Sequence, residues 1–479
     1  MFRAKPGEID PGRWRYNVHM VKTSHTFPPE ILIISVLSIL LFAACQVSDP
    51  QASASAPNTA TTAQATTDAT EVPTGDPFEG ADLAITGIDG NILLADVGSK
   101  NVVQLTGDAL PDPLNGETFI AYGEPTWSPS GEQLAFIRTV KVEGQPVVVD
   151  IVVASQDQEN IEIRADSERP FYLYWSPTGD ELSFLASRPG ESITLWVKDL
   201  ADSGGRIDQG QPLYWDWAPD GSRLFAHVGG SSDINPEGAY LSFFGPERRE
   251  LDLAPLYFQA PAFSPDGAQI LVTSRARTGS DSLLLLDAKG RILQDIVSVE
   301  GRASFAWAPD GSNFSTSVGP VIGGAHIGVL SLFRMNAEGR AELELEIADD
   351  VIAYWWSPDG DKIAYFFPVL SPPDLTQPIS FNRQDDNELF LQLFVYDLDS
   401  GTSQRLTSFR PTSEFLRILA YYDQYQRSAT IWSADSQLIA YPTSGQRGAG
   451  QIFIVNADGS DVPERIAAGE IAYWSNKTP

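Results

Sequence analysis

The chain has few of the residues on which common catalytic and metal-binding sites depend. Its 479 residues include one cysteine and four histidines. This excludes a disulfide framework and a cysteine-based zinc site, and it leaves little material for a histidine-built metal centre. Basic residues are also scarce, with 32 lysines and arginines against 63 aspartates and glutamates and a formal net charge of −31. Because no excess of cations is available to neutralise phosphates, we expect no nucleic-acid binding.

One uninterrupted apolar run stands near the N-terminus, where residues 31–44 read ILIISVLSILLFAA. It is short for a membrane span of about 20 residues and typical of the apolar core of a secretory signal. Ala43 and Ala44 then precede Cys45, the only cysteine. This arrangement resembles the lipobox of bacterial lipoproteins, with Phe42 where leucine is usual. The resemblance implies a lipidated Cys45 and an extracytoplasmic protein anchored to the cell membrane. A signal without lipidation and a short uncleaved anchor are the alternatives.

The segment after the cysteine has no material for a core. Residues 46–80 are rich in serine, threonine, alanine, proline and glutamine, and Phe78 is their one aromatic residue. Such a segment buries too little apolar surface to offset the entropy of ordering. We therefore expect a signal over residues 1–45, a disordered tether over 46–80 and a folded domain over 81–479.

A short phrase recurs through the rest of the chain. A typical copy is Trp356 followed by SPDG and the apolar run of DKIAYF. Serine, proline, aspartate and glycine fit a type I turn, which closes a β-hairpin when glycine follows in the left-handed region. The spacing is 42 to 49 residues, apart from one interval of 76, and the aromatic positions are Trp127, Trp175, Trp217, Phe263, Trp307, Trp356, Trp432 and Trp474. Because each interval holds further strand-like runs, the pattern predicts four-stranded antiparallel blades of an all-β propeller, with these aromatics packed between blades.

These repeats resemble those of TolB-like, WD40-like (PD40-type) β-propellers over about residues 81–479. The resemblance implies a propeller fold and, for TolB, protein–protein contacts in the cell envelope. TolB proteins carry an α/β domain before the propeller, whereas this chain has the tether. Similar repeats occur in prolyl-oligopeptidase-type peptidases, yet the G-x-S-x-G motif of their hydrolase domain is absent from this sequence.

The two ends of the folded domain complement each other. Residues 81–106 supply three strands without the aromatic first strand, and residues 470–475 supply a first strand without successors. Joined in one blade, they close the ring and bring the total to eight blades. Seven blades are the alternative, if the weaker phrase at Trp432 does not form a full blade.

Long connections are predicted on one face of the disc. In a meander blade the first-to-second and third-to-fourth turns share one face, here called the short-loop face. The other connections share the opposite face, here called the long-loop face. The insertions all fall in connections of the second kind, at residues 107–124, 229–239, 317–326, 367–390 and 407–429. Long loops in compact domains are usually functional or disordered, so we expect the long-loop face to be the working surface.

One insertion supplies a candidate interaction surface. Residues 413–427 predict a short helix with Ser413 as its N-cap. Its aromatic residues are Phe415, Tyr421, Tyr422 and Tyr425. They are either a binding hot spot or the contacts that fasten the helix over the channel mouth. His326, in a glycine-rich stretch, is expected to be accessible, and His227 to be packed or hydrogen-bonded.

The sequence thus predicts a lipid-anchored, extracytoplasmic propeller that acts as a non-catalytic binding or scaffold module. Its expected partner is an envelope protein, a peptide or a polysaccharide bound on the long-loop face. No catalytic residue, metal site or cofactor is predicted. The alternative is a glycan hydrolase or lyase with two carboxylates about 5–10 Å apart in the central channel. Apolar side chains filling that channel would count against this alternative.

Overall fold

The computed structural model describes residues 76–477 except for 112–117, 157–159, 230–237, 257–258, 276–280, 323–324, 371–388 and 446–447. The predicted signal, the lipidation site Cys45 and the tether up to residue 75 lie outside the described residues.

The regular secondary structure of the described residues is almost entirely β-strand. In chain order the strands are β1 (Leu83–Thr86), β2 (Ile92–Asp96), β3 (Asn101–Gln104), β4 (Thr118–Trp127), β5 (Gln133–Val142), β6 (Val148–Ser155), β7 (Ile161–Ile163), β8 (Arg169–Trp175), β9 (Glu181–Ser187), β10 (Ile193–Asp199), β11 (Gly204–Gly210), β12 (Leu213–Trp217), β13 (Leu224–Val228), β14 (Tyr240–Phe244), β15 (Arg249–Leu251), β16 (Ala262–Phe263), β17 (Gln269–Arg275), β18 (Asp281–Asp287), β19 (Ile292–Ser298), β20 (Arg302–Trp307), β21 (Asn313–Gly319), β22 (Val321–Ile322), β23 (Ala325–His326), β24 (Gly328–Met335), β25 (Ala341–Val351), β26 (Ala353–Trp356), β27 (Lys362–Leu370), β28 (Leu389–Asp397), β29 (Thr402–Phe409), β30 (Leu438–Ser444), β31 (Gly450–Asn456), β32 (Glu464–Ala468) and β33 (Ile471–Trp474). Two helices, α1 (Ser413–Leu419) and α2 (Tyr422–Ser428), interrupt them. Within the described ranges, no helix is long and apolar enough to cross a membrane.

These strands form eight antiparallel blades arranged as a propeller. Blades 2 to 5 contain β4–β7, β8–β11, β12–β15 and β16–β19 in turn. Blade 6 contains β20, β21, β24 and β25, with the small β22–β23 hairpin inserted, and blade 7 contains β26–β29. Blade 8 has the three strands β30–β32, and residues 430–432 take its inner position through isolated bridges. The predicted all-β propeller of eight blades is confirmed, and the seven-blade alternative is wrong.

The ring closes within blade 1, which combines both ends of the described chain. Its strand order is β3-β2-β1-β33, and Leu83 pairs with Trp474 across the closure. The first strand of each blade is innermost, and neighbouring first strands pack beside one another, as β4 does with β8 and β12 with β16. Inner strands are therefore buried along their length, as in β12, whereas outer strands such as β19 are largely exposed.

The repeat phrase forms one recurring turn between the first and second strands. In blade 5 the N–H of Gly267 donates to the Ser264 carbonyl at 2.8 Å, and Oγ of Ser264 accepts from the N–H of Gln269 at 2.9 Å. The glycine that closes the turn has a positive φ in six blades, at Gly131, Gly179, Gly221, Gly267, Gly311 and Gly360. In blade 8 Ser436 adopts φ 60° at this position. The weaker phrase after Trp432 therefore folds into the same turn, at the cost of a left-handed non-glycine residue.

The repeat tryptophans join neighbouring blades through their indole N–H groups. The acceptor is the carbonyl of the residue just before the repeat aromatic of the preceding blade. These bonds run from Trp127 to Tyr473, from Trp175 to Thr126, from Trp307 to Ala262, from Trp356 to Ala306 and from Trp432 to Trp355. Trp217 reaches its acceptor through Oγ of Ser183, which donates to the Tyr174 carbonyl at 2.8 Å. The indole N–H of Trp474 has no partner among the described residues.

This difference between Trp307 and Trp474 gives a matched pair of variants. Phenylalanine at either position removes an indole and leaves a similar void, but only Trp307→Phe breaks a hydrogen bond, the one of 3.2 Å to the Ala262 carbonyl. We expect Trp307→Phe to lower the free energy of unfolding by about 1 kcal/mol more than Trp474→Phe. Urea denaturation of the two variants measures the difference. Equal losses would show that packing alone, without the N–H···O bond, accounts for the repeated tryptophan.

The domain includes residues that the sequence analysis placed in the tether. Phe78 is buried, and its ring meets Trp127 edge-on with ring centroids 6.1 Å apart. Residues 76–80, which were expected in the tether, are thus among the described residues, and Phe78 joins them to blade 2. The sequence around Phe78 is polar and gave no sign of this contact. Its partner, Trp127, lies about 50 residues away in the sequence.

Candidate functional site

The inner strand of blade 8 is interrupted by an insertion. Pro411 pairs with Thr443 on β30, and Trp432 pairs with Ile439 on the same strand. An uninterrupted antiparallel register from the first pair would place residue 415, and not Trp432, opposite Ile439. The chain therefore has 17 residues more than this register needs, and they form an insertion that leaves the inner strand and later returns to it. The stretch 407–429 is therefore not a simple connection between blades, because β29 continues to Phe409 and residues 410–411 already belong to blade 8.

The insertion folds into the two short helices. One helix with Ser413 as its N-cap was expected from the sequence, but Thr412 is the N-cap and its Oγ1 accepts from the N–H of Phe415. Thr412 Oγ1 also donates to the Glu470 carbonyl at 2.6 Å, which fixes the start of α1 to blade 1. The helical path breaks at Tyr421, which has φ −126° and ψ 25°. This break turns α2 out of line with α1.

Helix α2 lies within the central channel. It packs against β8, β12 and β26, the inner strands of blades 3, 4 and 7. The side-chain amide of Gln424 pairs with the backbone of Trp215, accepting from its N–H at 3.1 Å and donating to its carbonyl at 3.0 Å. The hydroxyl of Tyr172 donates to the Gln424 carbonyl at 2.9 Å. The inner edge of β12 has no neighbouring strand on its channel side, and the Gln424 side chain makes the two backbone hydrogen bonds that such a strand would make with Trp215.

Three arginine–carboxylate pairs hold the insertion in the channel. They are Arg302–Asp423 at 2.7 Å, Arg427–Asp216 at 3.5 Å and Arg417–Glu124. Burial raises the pKa of Glu124 and of Asp216, against the opposing effect of the paired arginine in each case. Each of these channel carboxylates is thus held by a guanidinium, and α2 occupies the space that a sugar ring would need. Both features count against a glycan hydrolase or lyase that works in the channel.

Three of the four predicted surface aromatics are buried. Phe415 packs edge-on against Phe366, with centroids 5.4 Å apart, and Tyr425 against Tyr172 at 5.0 Å. Tyr422 lies beside Tyr354, and its hydroxyl is 2.6 Å from Oγ of Ser304. These three residues fasten the insertion to the propeller, which was one of the two alternatives. Tyr421, 42% exposed at the turn between the helices, is the member of the set that a partner can reach.

The two described histidines are both buried. The expected accessibility of His326 is wrong, because the β22–β23 hairpin places its ring Nε2 3.1 Å from both the hydroxyl and the carbonyl oxygen of Ser317. Burial, with a further contribution from Arg302, lowers the pKa of His326 to about 3. Burial lowers the pKa of His227 to about 4. Both rings are therefore neutral at pH 7.

Exposed apolar side chains are concentrated on the long-loop face. Eleven large hydrophobic residues are exposed in the described part of the chain. The topology assigns six of them to this face: Ile88, Leu110, Val142, Val148, Val321 and Tyr421. Val102, Ile292, Leu293 and Leu343 lie on outer strands, and Val462 lies in a short turn. Of these six residues, only Tyr421 was predicted from the sequence. The unusual length of the strand-like stretch at residues 133–142 was a signal that could have indicated Val142.

The projecting element of this face is the hairpin of blade 2. The pairing of β4 with β5 runs from Trp127 opposite Leu134 to Thr118 opposite Val142, about three residues further than the equivalent pair in blade 3. At about 3.3 Å per residue, β4 and β5 are therefore extended by roughly 10 Å. Val142 ends β5 and Val148 begins β6, so the two residues flank the tip of the β5–β6 hairpin. Leu110 is close by, since its backbone N–H donates to the carbonyl of Ile120 on β4 at 2.7 Å.

In the described ranges, no group of three or more histidine, cysteine, aspartate or glutamate side chains is arranged to hold a metal ion.

No protein-family model and no curated protein matches this chain. Among solved structures it is similar to TolB from Acinetobacter baumannii, with 14% identity, a TM-score of 0.33 and coverage of 75% of this chain and 82% of that one. The β-propeller domain of the Trilobed protease from Pyrococcus furiosus is 13% identical, with a TM-score of 0.43 and coverage of 73% and 96%. Oligogalacturonate lyase from Vibrio parahaemolyticus is 10% identical, with a TM-score of 0.41 and coverage of 74% and 86%. At these values the likeness concerns the propeller fold and does not extend to function.

Proposed function

We propose that the protein is a non-catalytic binding module that engages a protein, peptide or polymer of the cell envelope on its long-loop face. The observation that carries this proposal is the concentration of exposed apolar side chains there. Apolar surface left in water is costly, and contiguous patches usually mark interaction sites. The contact centre is the sector of blades 1 and 2, where Ile88 and Leu110 neighbour the projecting hairpin that carries Val142 and Val148.

The filled channel supports a binder over an enzyme. The insertion satisfies the inner edge of β12 and neutralises the channel carboxylates. A rigid, plugged ring is a suitable support for loops that contact a partner, because binding then costs little ordering entropy. The enzymatic alternative would need a second, open site elsewhere on the propeller.

The lipid anchor is part of the proposal and rests on the sequence alone. Cys45 carries the acyl chains, residues 46–75 act as the spacer, and the propeller is held outside the cytoplasmic membrane. The membrane contact is made by the acyl chains, because the strongly acidic chain offers no basic patch to anionic headgroups.

Two matched substitutions, each of which introduces a negative charge, test the binding face. Val148→Asp, at a side chain 46% exposed, places a charge at the tip of the long-loop face. Leu293→Asp, at a side chain 47% exposed, places the same charge on an outer strand beside a short turn. We expect crosslinking pull-down from native membranes to recover the partner with Leu293→Asp as with the wild type. Recovery with Val148→Asp should fall at least about tenfold, since a charge buried at an apolar contact is strongly unfavourable.

Both substitutions are on the surface and should change the free energy of unfolding by less than about 0.5 kcal/mol, which denaturation curves check beforehand. Capture that is equally efficient with both variants would place the contact elsewhere. Absence of any specific capture by the wild type would remove support for the binder.

A further inference from the structure

The long-loop face has a step between blades 1 and 2, because blade 2 is the taller of the two. Leu83 in β1 and Leu134 in β5 are equivalent positions, since each pairs with the repeat tryptophan of its own blade. Strand β1 ends three residues later at Thr86, whereas β5 ends eight residues later at Val142. The upper part of blade 2 therefore stands beside the long-loop turn of blade 1 and not beside a strand.

The floor of the step is the turn of blade 1 at residues 87–91. Its position is fixed by the backbone N–H of Tyr122, which donates to the Gly90 carbonyl at 2.9 Å. Tyr122 pairs with Arg138 on β5, so the turn reaches the level of Arg138. Residues 139–142 of β5 therefore rise roughly 13 Å above the floor, at about 3.3 Å per residue.

The wall of the step is the side of blade 2 that faces blade 1, and its upper part is aliphatic. Leu134 and Phe136 pack in a cluster with side chains of blade 1. Because alternate residues of a strand share a face, Val140 and Val142 point to the same side. The pairing register aligns one apolar row across the wall, to which neighbouring strands contribute Leu110, Ile120, Val140 and Val148. With strands about 4.8 Å apart, the row is roughly 14 Å long.

The base of the step is negatively charged. Asp89 lies in the floor turn, Asp108 lies on the segment that leads from blade 1 to the wall, and both residues are exposed. Their hydrogen-bond donors are neutral: the backbone and side-chain nitrogens of Asn91 for Asp89, and the Tyr122 hydroxyl for Asp108. The guanidinium of Arg138 already forms salt bridges with two carboxylates of blade 2. Among the described residues, Asp89 and Asp108 are thus without a paired cation.

We propose that the step binds an amphipathic helix of a partner protein, with the aliphatic stripe of the helix on the wall and its lysine or arginine side chains beside Asp89 and Asp108. A helix with its side chains is about 10–12 Å in diameter, close to the height of the wall, and three helical turns span about 16 Å, close to the length of the row. The helical pitch of about 5.4 Å brings an aliphatic residue near each strand of the row. This inference rests on the binding function proposed above and specifies the chemistry of the partner.

Other occupants fit the step less well. A second copy of this chain has the same excess of acidic residues, with a net charge of −31, and both helices of its described part pack against their own propeller. A polysaccharide presents hydroxyl groups, which lose hydrogen bonds to water against an aliphatic wall. Anionic lipid headgroups are repelled by the two carboxylates. A basic amphipathic helix satisfies both the apolar wall and the acidic base.

Fluorescence anisotropy of labelled synthetic peptides, titrated with the full chain, tests the inference. The probe is a helical peptide of about 14 leucine and lysine residues in equal number, with leucines three and four positions apart. We expect saturable binding that is at least about fivefold tighter than that of a control peptide of the same composition, in which leucine and lysine alternate and form no helical stripe. The same helical peptide with glutamate in place of lysine should not bind, because its charge repels the carboxylates of the step.

The charged base of the step is tested by removing its two carboxylates. Asp89→Asn/Asp108→Asn should weaken binding of the leucine–lysine probe at least about fivefold. Asp220→Asn/Asp310→Asn removes the same charge from two exposed turns of the short-loop face and should bind the probe as the wild type does. This control separates a local contact from the general attraction of a basic peptide to an acidic protein.

The aliphatic wall is tested by a matched pair of leucines. Leu110 on the wall and Leu293 on an outer strand are 50% and 47% exposed. Leu110→Gln should weaken binding of the leucine–lysine probe at least about threefold through the loss of apolar contact, whereas Leu293→Gln should leave it unchanged. Denaturation curves of both variants check that the propeller stays folded.

The inference is overturned if the helical probe binds no more tightly than the alternating peptide, or if the control variants lose as much affinity as the step variants. The pull-down from native membranes detects a partner of any chemistry on the long-loop face. A partner captured there, together with probe binding that is unaffected by the step variants, would support the binding function and reject the helix. The two proposals can therefore fail separately.

Discussion

Replacing Arg302 by leucine is expected to lower the free energy of unfolding by about 3–5 kcal/mol. The side chains of Arg302 and Asp423 are 9% and 2% exposed, and Nη2 of the arginine lies 2.7 Å from Oδ1 of the aspartate. Without the guanidinium, the Asp423 carboxylate keeps the N–H of Ala260 at 3.3 Å as compensation for its lost hydration. A buried carboxylate with so little support opposes the insertion of α2 into the channel. Urea denaturation followed by tryptophan fluorescence measures the loss.

The double variant Arg302→Leu/Asp423→Leu distinguishes a lost charge pair from lost packing. With both charges removed, most of the stability should return, because apolar replacement of a buried pair is often neutral. Arg334→Leu is the exposed control: its pair with Glu344 has side chains 65% and 31% exposed and should contribute less than about 1 kcal/mol. A loss below about 1 kcal/mol for Arg302→Leu, or a double variant no more stable than the single one, would contradict this account of the channel.

Lowering the pH from 7 to 5 is expected to reduce the free energy of unfolding by about 4 kcal/mol through the two buried histidines. The pKa is about 4 for His227 and about 3 for His326 in the folded protein, against about 6.5 in the unfolded chain. Below pH 6.5 the unfolded chain takes up protons that the folded protein does not bind. The contribution of the neutral histidines to the free energy of unfolding is therefore fully present above pH 6.5. It decreases as the pH approaches the folded pKa values, by about 2 kcal/mol per histidine at pH 5.

His227→Phe isolates the contribution of one ring. Neither ring nitrogen of His227 has a hydrogen-bond partner among the described residues, so phenylalanine keeps the packing and removes the titration. Its stability should fall by about 2 kcal/mol less than that of the wild type between pH 7 and pH 5. The raised pKa values of Glu124 and Asp216 act in the opposite sense, chiefly at lower pH. Denaturation at pH 7, 6 and 5 measures how the free energy of unfolding depends on pH. A wild-type value that does not change over this range would contradict the lowered pKa values of the two histidines.

The blades were predictable because their signals are local. Each copy of the repeat phrase contains its own turn residues and its own apolar strand, so the fold could be counted from the sequence. Even the composite blade followed from the two unmatched ends, as the pairing of Leu83 with Trp474 shows. Ser436 shows the limit of pattern matching, since it occupies a left-handed turn position with φ 60° where the other phrases have glycine.

The candidate site was predicted less well because its contacts are not local. The spacing of Phe415, Tyr422 and Tyr425 fits both an exposed hot spot and a buried anchor. What decides between them is the set of surfaces that meet them: Phe366 on blade 7, Ser304 on blade 6 and Tyr172 on blade 3. The burial of His326 has the same origin, as its ring is covered when the hairpin pairs Val321 with His326. The apolar side chains of the long-loop face stood out only when the ring had assigned each connection to a face.

The sequence favoured eight blades over seven and predicted the closure between the two ends and the assignment of the long connections to one face. Each of these follows from turn chemistry and strand periodicity within about 45 residues. The tertiary structure was needed to show that residues 412–429 enter the channel and that three arginines pair with carboxylates there. It was also needed to show that the indole N–H of Trp474 has no acceptor among the described residues. Those features depend on which side chains meet across the ring, and the chain spacing of residues such as Asp216 and Arg427 contains no information about that meeting.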